Sequence, residues 1–299
     1  MRDGCTVVYA RLVYQLRAPA PALARFVEHY WFVTPDGAEP VDLRVDVFVD
    51  ARADLIFNFD APYRREVIGG RATSHRRSNL DAQRTVPIRI VQRGRVRITG
   101  VRFRLGGLGA FTGPAGDLAR FTNLTPAPSA VFGAPVRALE KALSVERDLD
   151  AQARALDAFF VERLGATEPR RSFERALAAL EQSRGGLSVE AMAKRCATTP
   201  RQIERSFRRE LGIAPKTVGR ILRFQSALKM LMRDPGGTLA DVAAACGYYD
   251  QAHFVREFRK MSGGVPRGYR GYYPPAAPTD FAPNVVVFVQ DDAKRKTRS

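Results

Sequence analysis

The chain has 299 residues, 45% of them hydrophobic, enough for two domains that each bury a core. Its 48 Lys and Arg against 31 Asp and Glu leave a formal charge of +17, which makes polyanions its natural partners. Three widely separated cysteines, Cys5, Cys196 and Cys246, form neither a disulfide framework nor a metal box; Arg2, Asp3, Arg11 and Arg17 make the N-terminus unlike a signal peptide, and no apolar run of about 18 residues suggests a membrane span.

Residues 22–33 (ALARFVEHYWFV) carry an apolar helical stripe with an aromatic finish that begins a strand. From there to about Gly113 the chain reads as β-rich, with strand segments at Val41–Val49, Asp54–Asp60, Thr85–Val91 and Arg95–Leu105 between Gly, Pro and Asn clusters. Short, turn-bounded strands of this kind predict a small barrel or sandwich. Val96 and Ile98 share one parity while Val101, Phe103 and Leu105 share the other, so a bulge is expected at Gly100. Arg93, Arg95, Arg97, Arg102 and Arg104 would then line a solvated face, and Phe48, Leu55, Phe57, Phe59 and Phe103 would fill the barrel interior.

Leu139, Leu143, Leu149, Leu156, Phe159, Phe160 and Leu164 predict two amphipathic helices, which would connect this domain to the next or pair with another subunit. The polar segment Gly165–Arg171 is the expected domain boundary. Beyond it, residues 171–273 hold 19 basic and 9 acidic residues, so 19 − 9 = +10 of the total +17 falls on about a third of the chain.

Within that third a motif is written twice, at Ser188–Gly212 and at Thr238–Gly263. In the first copy Ser188 caps a helix that buries Val189, Met192 and Ala193, a turn follows around Cys196–Thr198, and Thr199 caps the next helix. Thr199-Pro200-Arg201-Gln202 supplies both a proline at the first helical position and a capping box. Ile203 and Phe207 point inward and leave Arg201, Gln202, Arg205 and Arg208 on the outside. In the second copy Thr238 caps, Leu239, Val242 and Ala243 pack, Gly247 turns, Asp250 caps, and Phe254 and Phe258 anchor. The offset is 50 residues between first helices and 51 between second ones, so the second turn is one residue longer and Arg205 corresponds to Arg256. FRRELGIAP at 207–215 and FRKMSGGVP at 258–266 end both copies with a basic helix end, a glycine cap and a proline stop. Between the copies, Val218, Ile221, Leu222, Leu228, Leu231 and Met232 predict a long helix, ended by Asp234-Pro235-Gly236-Gly237, that holds two reading heads apart.

The region from about Phe173 to Tyr273 resembles the DNA-binding domain of the AraC/XylS family of bacterial transcription regulators, a helical unit with two helix-turn-helix motifs joined by a long helix. GYYDQAHFVREFRKMSGGVPRGYR at 247–270 carries the resemblance most closely. The first copy departs from the family pattern, because Ala197-Thr198 stands where the turn often has a glycine and a bulky residue. HYW at 29–31, DLIFNF at 54–59 and GVRFRLGG at 100–107 look like the β-rich N-terminal domain of a subset of these regulators, which implies no particular ligand.

Arginine on an exposed recognition helix donates two hydrogen bonds to guanine, so Arg205 and Arg256 are the leading base-contact candidates. Arg201, Gln202 and Gln251 lie in the first turns of the recognition helices, where the resemblance implies approach to base edges, and Ala252 is small enough to meet a thymine methyl. Arg208, Lys216, Arg220, His253 and Arg267 are assigned to phosphate. The expected architecture is therefore α+β: a β-rich, barrel-like sensor or assembly domain (1–135), a helical linker (136–170), an all-α double helix-turn-helix domain (171–273) and a tail (274–299).

The expected function is sequence-specific transcription regulation on double-stranded DNA in the cytoplasm, without enzymatic activity, metal or cofactor. RNA polymerase, a small-molecule effector and a second copy of the chain stay open as partners. A DNA-repair or modification enzyme would need a reactive cysteine, for which Cys5 is the one without a packing role. A metal enzyme would need clustered ligands, yet the N-terminal region offers only His29 and His75. Gly107, Gly109 and Gly113, followed by Pro114, form no dinucleotide fingerprint. A general architectural binder would need charge alone, whereas the duplicated caps call for defined geometry.

Overall fold

A computed structural model describes residues 6–9, 12–35, 37, 40–70, 72–112, 118–164, 171–233 and 236–270, with backbone alone for 6–9 and 72–76. Cys5, Gly113-Pro114, the boundary at 165–170, Asp234-Pro235 and the tail at 274–299 lie outside the described residues.

Among the described residues, ten strands precede the helices: β1 (Thr6–Tyr9), β2 (Leu12–Arg17), β3 (Val27–Pro35), β4 (Val41–Val47), β5 (Asp54–Asn58), β6 (Tyr63–Val67), β7 (Ala72–Arg76), β8 (Asn79–Asp81), β9 (Ile88–Gly94) and β10 (Ile98–Phe103). They form two antiparallel sheets, one in the order β1-β2-β3-β10-β5-β8 and one in the order β4-β9-β6-β7. The sheets face each other without closing into a barrel. The helical start expected in residues 22–33 amounts to a short 3-10 turn, Pro21–Leu23, with a strand from Val27.

Helices α1 (Pro128–Phe132), α2 (Pro135–Val145) and α3 (Leu149–Leu164) follow. Leu55, Phe57, Val101 and Phe103 share one core with Val136, Leu139, Leu143, Leu156 and Phe160, so α2 and α3 cover the outer face of the six-stranded sheet. Phe103 and Phe160 meet edge to face at 5.6 Å. This corrects the expected barrel interior: the phenylalanines pack under helices, and the opposite parity, Trp31, Ile56 and Ile98, faces the second sheet. Phe59 is only partly buried and lies beneath the Arg97 guanidinium, 4.4 Å from its carbon.

With both faces covered, β10 has no solvated side, and Arg102 is 3% exposed rather than on a surface stripe. It pairs with Asp50 and Asp54. Arg84 bridges Asp81 at 3.0 Å and approaches Asp50 at 4.0 Å, and Arg65 lies 3.5 Å from Asp81. A buried charge is tolerated only when paired, and here charges of both signs alternate along a chain. Gly100 is not a bulge. A side chain there would collide with the Trp31 indole, and the register shift against β3 falls between Arg102 and Phe103.

The C-terminal helices are α4 (Arg171–Gln182), α5 (Val189–Arg195), α6 (Pro200–Leu211), α7 (Pro215–Arg233), α8 (Leu239–Ala245) and α9 (Gln251–Ser262), closed by a 3-10 turn at Pro266–Tyr269. Phe48, Val49, Ala51 and Leu105 of the β-rich domain join their core. Phe48 stacks edge to face on Phe224 and Tyr269, Val49 N donates to Met261 O at 3.3 Å, and Thr122 Oγ1 donates to Gly212 O at 3.0 Å. The β-rich domain thus touches the C-terminal end of both α6 and α9.

Candidate nucleic-acid interface

The two copies are built alike from their caps outward. Ser188 Oγ accepts from Ala191 N at 3.2 Å to start α5, and Thr238 with Asp241 forms a capping box at the start of α8. Thr199 and Gln202 form the capping box of α6, and Asp250 accepts from His253 N at 2.6 Å to start α9. Gly212 (φ 73°) and Gly263 (φ 77°) end the two recognition helices in the left-handed conformation. Cys196 and Cys246 occupy matching positions after α5 and α8, and both are buried.

The turns also match. Ala197 (φ 50°) and Gly247 (φ 70°) both adopt the left-handed conformation, and Thr198 N and Tyr248 N donate back to Ala193 O and Ala243 O. The additional residue of the second turn is therefore Tyr249, which is 92% exposed immediately before the cap of α9. Sequence reasoning did not single it out. The one-residue difference between the two offsets was the signal that could have found it.

Ile203 and Phe207 anchor α6, and Phe254 and Phe258 anchor α9, each at 1% exposure or less. The opposite face of α6 exposes Arg201, Gln202, Arg205 and Arg208, spaced so that 201, 205 and 208 share one side. Gln202 Oε1 accepts from Thr199 N at 3.1 Å, which leaves its amide NH2 as the outward donor. The corresponding face of α9 exposes Gln251, Ala252 and Arg256. His253 is half-buried with its ring 5.6 Å from Tyr248, edge to face.

Lys216 is exposed in the first turn of α7. Arg220, further along, pairs with Glu257 of α9 at 2.7 Å. Arg267 is exposed in the final turn and lines one depression with Gln251, Arg270 and Thr238, a grouping not visible in the sequence. Helix α7 has 19 residues and so spans about 28 Å, close to the roughly 34 Å that separates successive major-groove segments on one face of B-DNA.

Among the described residues, no group of three or more His, Cys, Asp or Glu is placed to hold a metal ion, and no helix is long and apolar enough to cross a membrane. His29 lines the space between the sheets beside Arg102.

Residues 192–272 match a family model described as a helix-turn-helix domain, and residues 15–125 match a domain of unknown function, DUF6597. The HTH-type transcriptional activator RhaS of Escherichia fergusonii is 32% identical over 84 residues, a match that covers 28% of this chain and 30% of RhaS. A transcriptional regulator with an AraC-type DNA-binding domain from Chromobacterium violaceum is 25% identical over 36% of this chain and 96% of its own, with a TM-score of 0.33. ToxT of Vibrio cholerae O395 is 7% identical over 77% of this chain and 96% of its own, with a TM-score of 0.43. The match to RhaS thus spans less than a third of either chain, and the matching family models assign a helix-turn-helix domain at 192–272 behind a domain of unknown function at 15–125.

Proposed function

We propose that the chain is a sequence-specific DNA-binding transcription regulator that reads two successive major-groove segments. The observation that carries this reading is the paired presentation of Arg205 and Arg256 on two recognition helices with matching caps, inward anchors and glycine stops. Arg201, Gln202, Gln251 and Ala252 approach base edges beside them, and Arg208, Lys216, His253 and Arg267 hold phosphate. Defined geometry of this kind distinguishes a reader from a basic protein that coats DNA. A nucleophilic role finds no support at Cys196 or Cys246, which pack inside the motifs, and burial raises the Cys246 thiol above its ordinary pKa.

Selection of binding sites from random duplexes tests the reading. Arg205→Ala and Arg256→Ala should each lose roughly 1–3 kcal/mol of discrimination, at one base position per variant, with the fold intact. Unchanged preference in both variants would overturn the assignment.

We infer that a small-molecule effector binds between the sheets. A cavity of about 160 Å³ is walled by apolar residues including Leu43, Val45, Ile56 and Ile90, and Asp54, Asp81, Arg84 and Arg102 form its polar end. Asp50 ties that end to the segment that packs on the helical domain. The cavity suits a compact apolar molecule with one hydrogen-bonding group. Val45→Trp and Ile90→Trp should abolish any effector response while leaving DNA selection unchanged. A response retained in both variants would place the effector elsewhere.

A further inference from the structure

A second cleft lies at the seam between the two domains, and the DNA-reading face does not use it. Its volume is about 490 Å³, within the range of small-molecule sites. Arg52 enters from the β-rich domain, while Glu181, Arg184, Gln225, Lys229 and Arg233 line it from the helical domain. Four cations thus converge with one carboxylate. Arg52 has Glu28 as an ion partner at 3.2 Å, but the side chains of Arg184 and Lys229 have no hydrogen bond or ion pair among the described residues. Partial desolvation, with the neighbouring Arg52 and Arg233, lowers the Lys229 ammonium below its ordinary pKa against the opposing charge of Glu28.

Two further observations coincide at this place. Ala51 (φ 59°), next to Arg52, and Arg184 (φ 51°) are both left-handed without being glycine, a conformation that L-residues hold only when the surroundings impose it. Gln225, which lines the cleft, is 7% exposed and donates its Nε2 to Val49 O, yet its Oε1 is buried with no donor among the described residues. A buried acceptor of this kind is costly unless a ligand satisfies it.

We propose that this cleft binds a small phosphorylated molecule bearing hydroxyl groups, with the phosphate among Arg52, Arg184 and Lys229 and a hydroxyl donating to Gln225 Oε1. Glu181 disfavours an all-anionic ligand and offers hydroxyls a second acceptor. Because the cations come from both domains, the ligand closes the seam and favours the docked arrangement. Arg220 and Arg223 of α7 turn toward Glu257 and Gly247 of the second motif, whereas Lys229 and Arg233 turn toward Arg52. The cleft is therefore separate from the phosphate contacts assigned to the reading face.

The full chain, without DNA, is titrated at about pH 8 by calorimetry and thermal unfolding with inorganic phosphate and with ribose 5-phosphate, both of which are predominantly dianions there. Both should saturate, with ribose 5-phosphate about fivefold tighter through the Gln225 contact. Arg184→Gln with Lys229→Gln should weaken binding about tenfold. Both side chains are exposed, so the core of this variant is intact, and its ligand-free unfolding temperature checks that. Arg205→Ala with Arg256→Ala should leave phosphate binding within about twofold. Loss in this recognition-face variant would put the anion on the DNA-reading surface and overturn the proposal. Full binding by the cleft variant, or no saturable binding at all, overturns it equally, and equal affinity for the two probes overturns the part given to Gln225.

Discussion

Arg220 on the linking helix and Glu257 on the second recognition helix are joined through Nε and Oε2 at 2.7 Å. Burial would raise the Glu257 carboxyl, but the hydrogen bond from Arg220 and the charge of Lys260 outweigh it and hold the group below its ordinary pKa. The pair fixes how α9 leans on α7, and it competes with the phosphate role that sequence reasoning assigns to Arg220. Arg220→Gln should cost about 1–2 kcal/mol of stability, a value discounted because Arg220 is partly exposed. The slope of log K against log salt should then fall by less than about 1. A full unit of slope lost with no change in melting temperature would return Arg220 to the phosphate backbone.

Ala197 holds in the first turn the left-handed conformation that Gly247 holds in the second. A β-carbon disfavours that conformation by roughly 1–2 kcal/mol, while glycine gives back about 0.4–1 kcal/mol through the freedom of the unfolded chain. Ala197→Gly should therefore stabilise the protein by about 0.5–1 kcal/mol. Denaturant unfolding measures the difference, and a loss of stability would show that the side chain of Ala197 packs favourably.

The helical half was legible because its signals are local. Thr199 with Gln202, the Thr238 cap, and the two glycine stops each act within one turn of chain, so sequence spacing determines them. The β-rich half was read in outline and misread in its faces. Phe57 and Phe103 are on the parity assigned to a barrel interior, but which side of a sheet receives helices is decided by α2 and α3, far away in sequence. Arg102 was misplaced for the same reason, since its partners Asp50 and Asp54 come from other segments and alternation alone cannot distinguish a solvated arginine from a buried, paired one. At the interface the exposed arginines were visible from helical spacing, whereas the grouping of Gln251 with Arg267 and Arg270 depends on the final turn folding back.

Arg102 is the central cation of the buried ionic chain and contacts Asp50, Asp54 and, at 4.0 Å, Glu28. Removing one partner of a buried pair leaves uncompensated charge, so Arg102→Ala should destabilise the protein by about 3–5 kcal/mol. Asp50 belongs to the segment whose neighbours Val49 and Ala51 pack on the helical core. The same substitution should therefore loosen the seam, seen as earlier hydrogen exchange at Val49 and Met261. A variant that unfolds at the parental denaturant midpoint would contradict this.

His29 and Asp54 face the same cavity and titrate in opposite senses. Burial and the nearby Arg102 push the His29 imidazole down from 6.5 to about 4, whereas burial pushes the Asp54 carboxyl up from 3.8 to about 6. As pH falls below about 6.5, the unfolded chain protonates its histidine before the folded one does, so the stability associated with His29 is whole above that value and is lost toward pH 4. For Asp54 the folded chain binds the proton first, so its contribution is whole below 3.8 and is lost as pH rises through about 6. Between these limits the two slopes oppose each other and mask one another in the parent protein. His29→Asn removes only the first, and should improve stability relative to the parent by up to about 2 kcal/mol on going from pH 7 to pH 5. Urea unfolding of both proteins across that interval measures it. Parallel stability curves would mean that the folded protein accommodates a charged imidazole at this position.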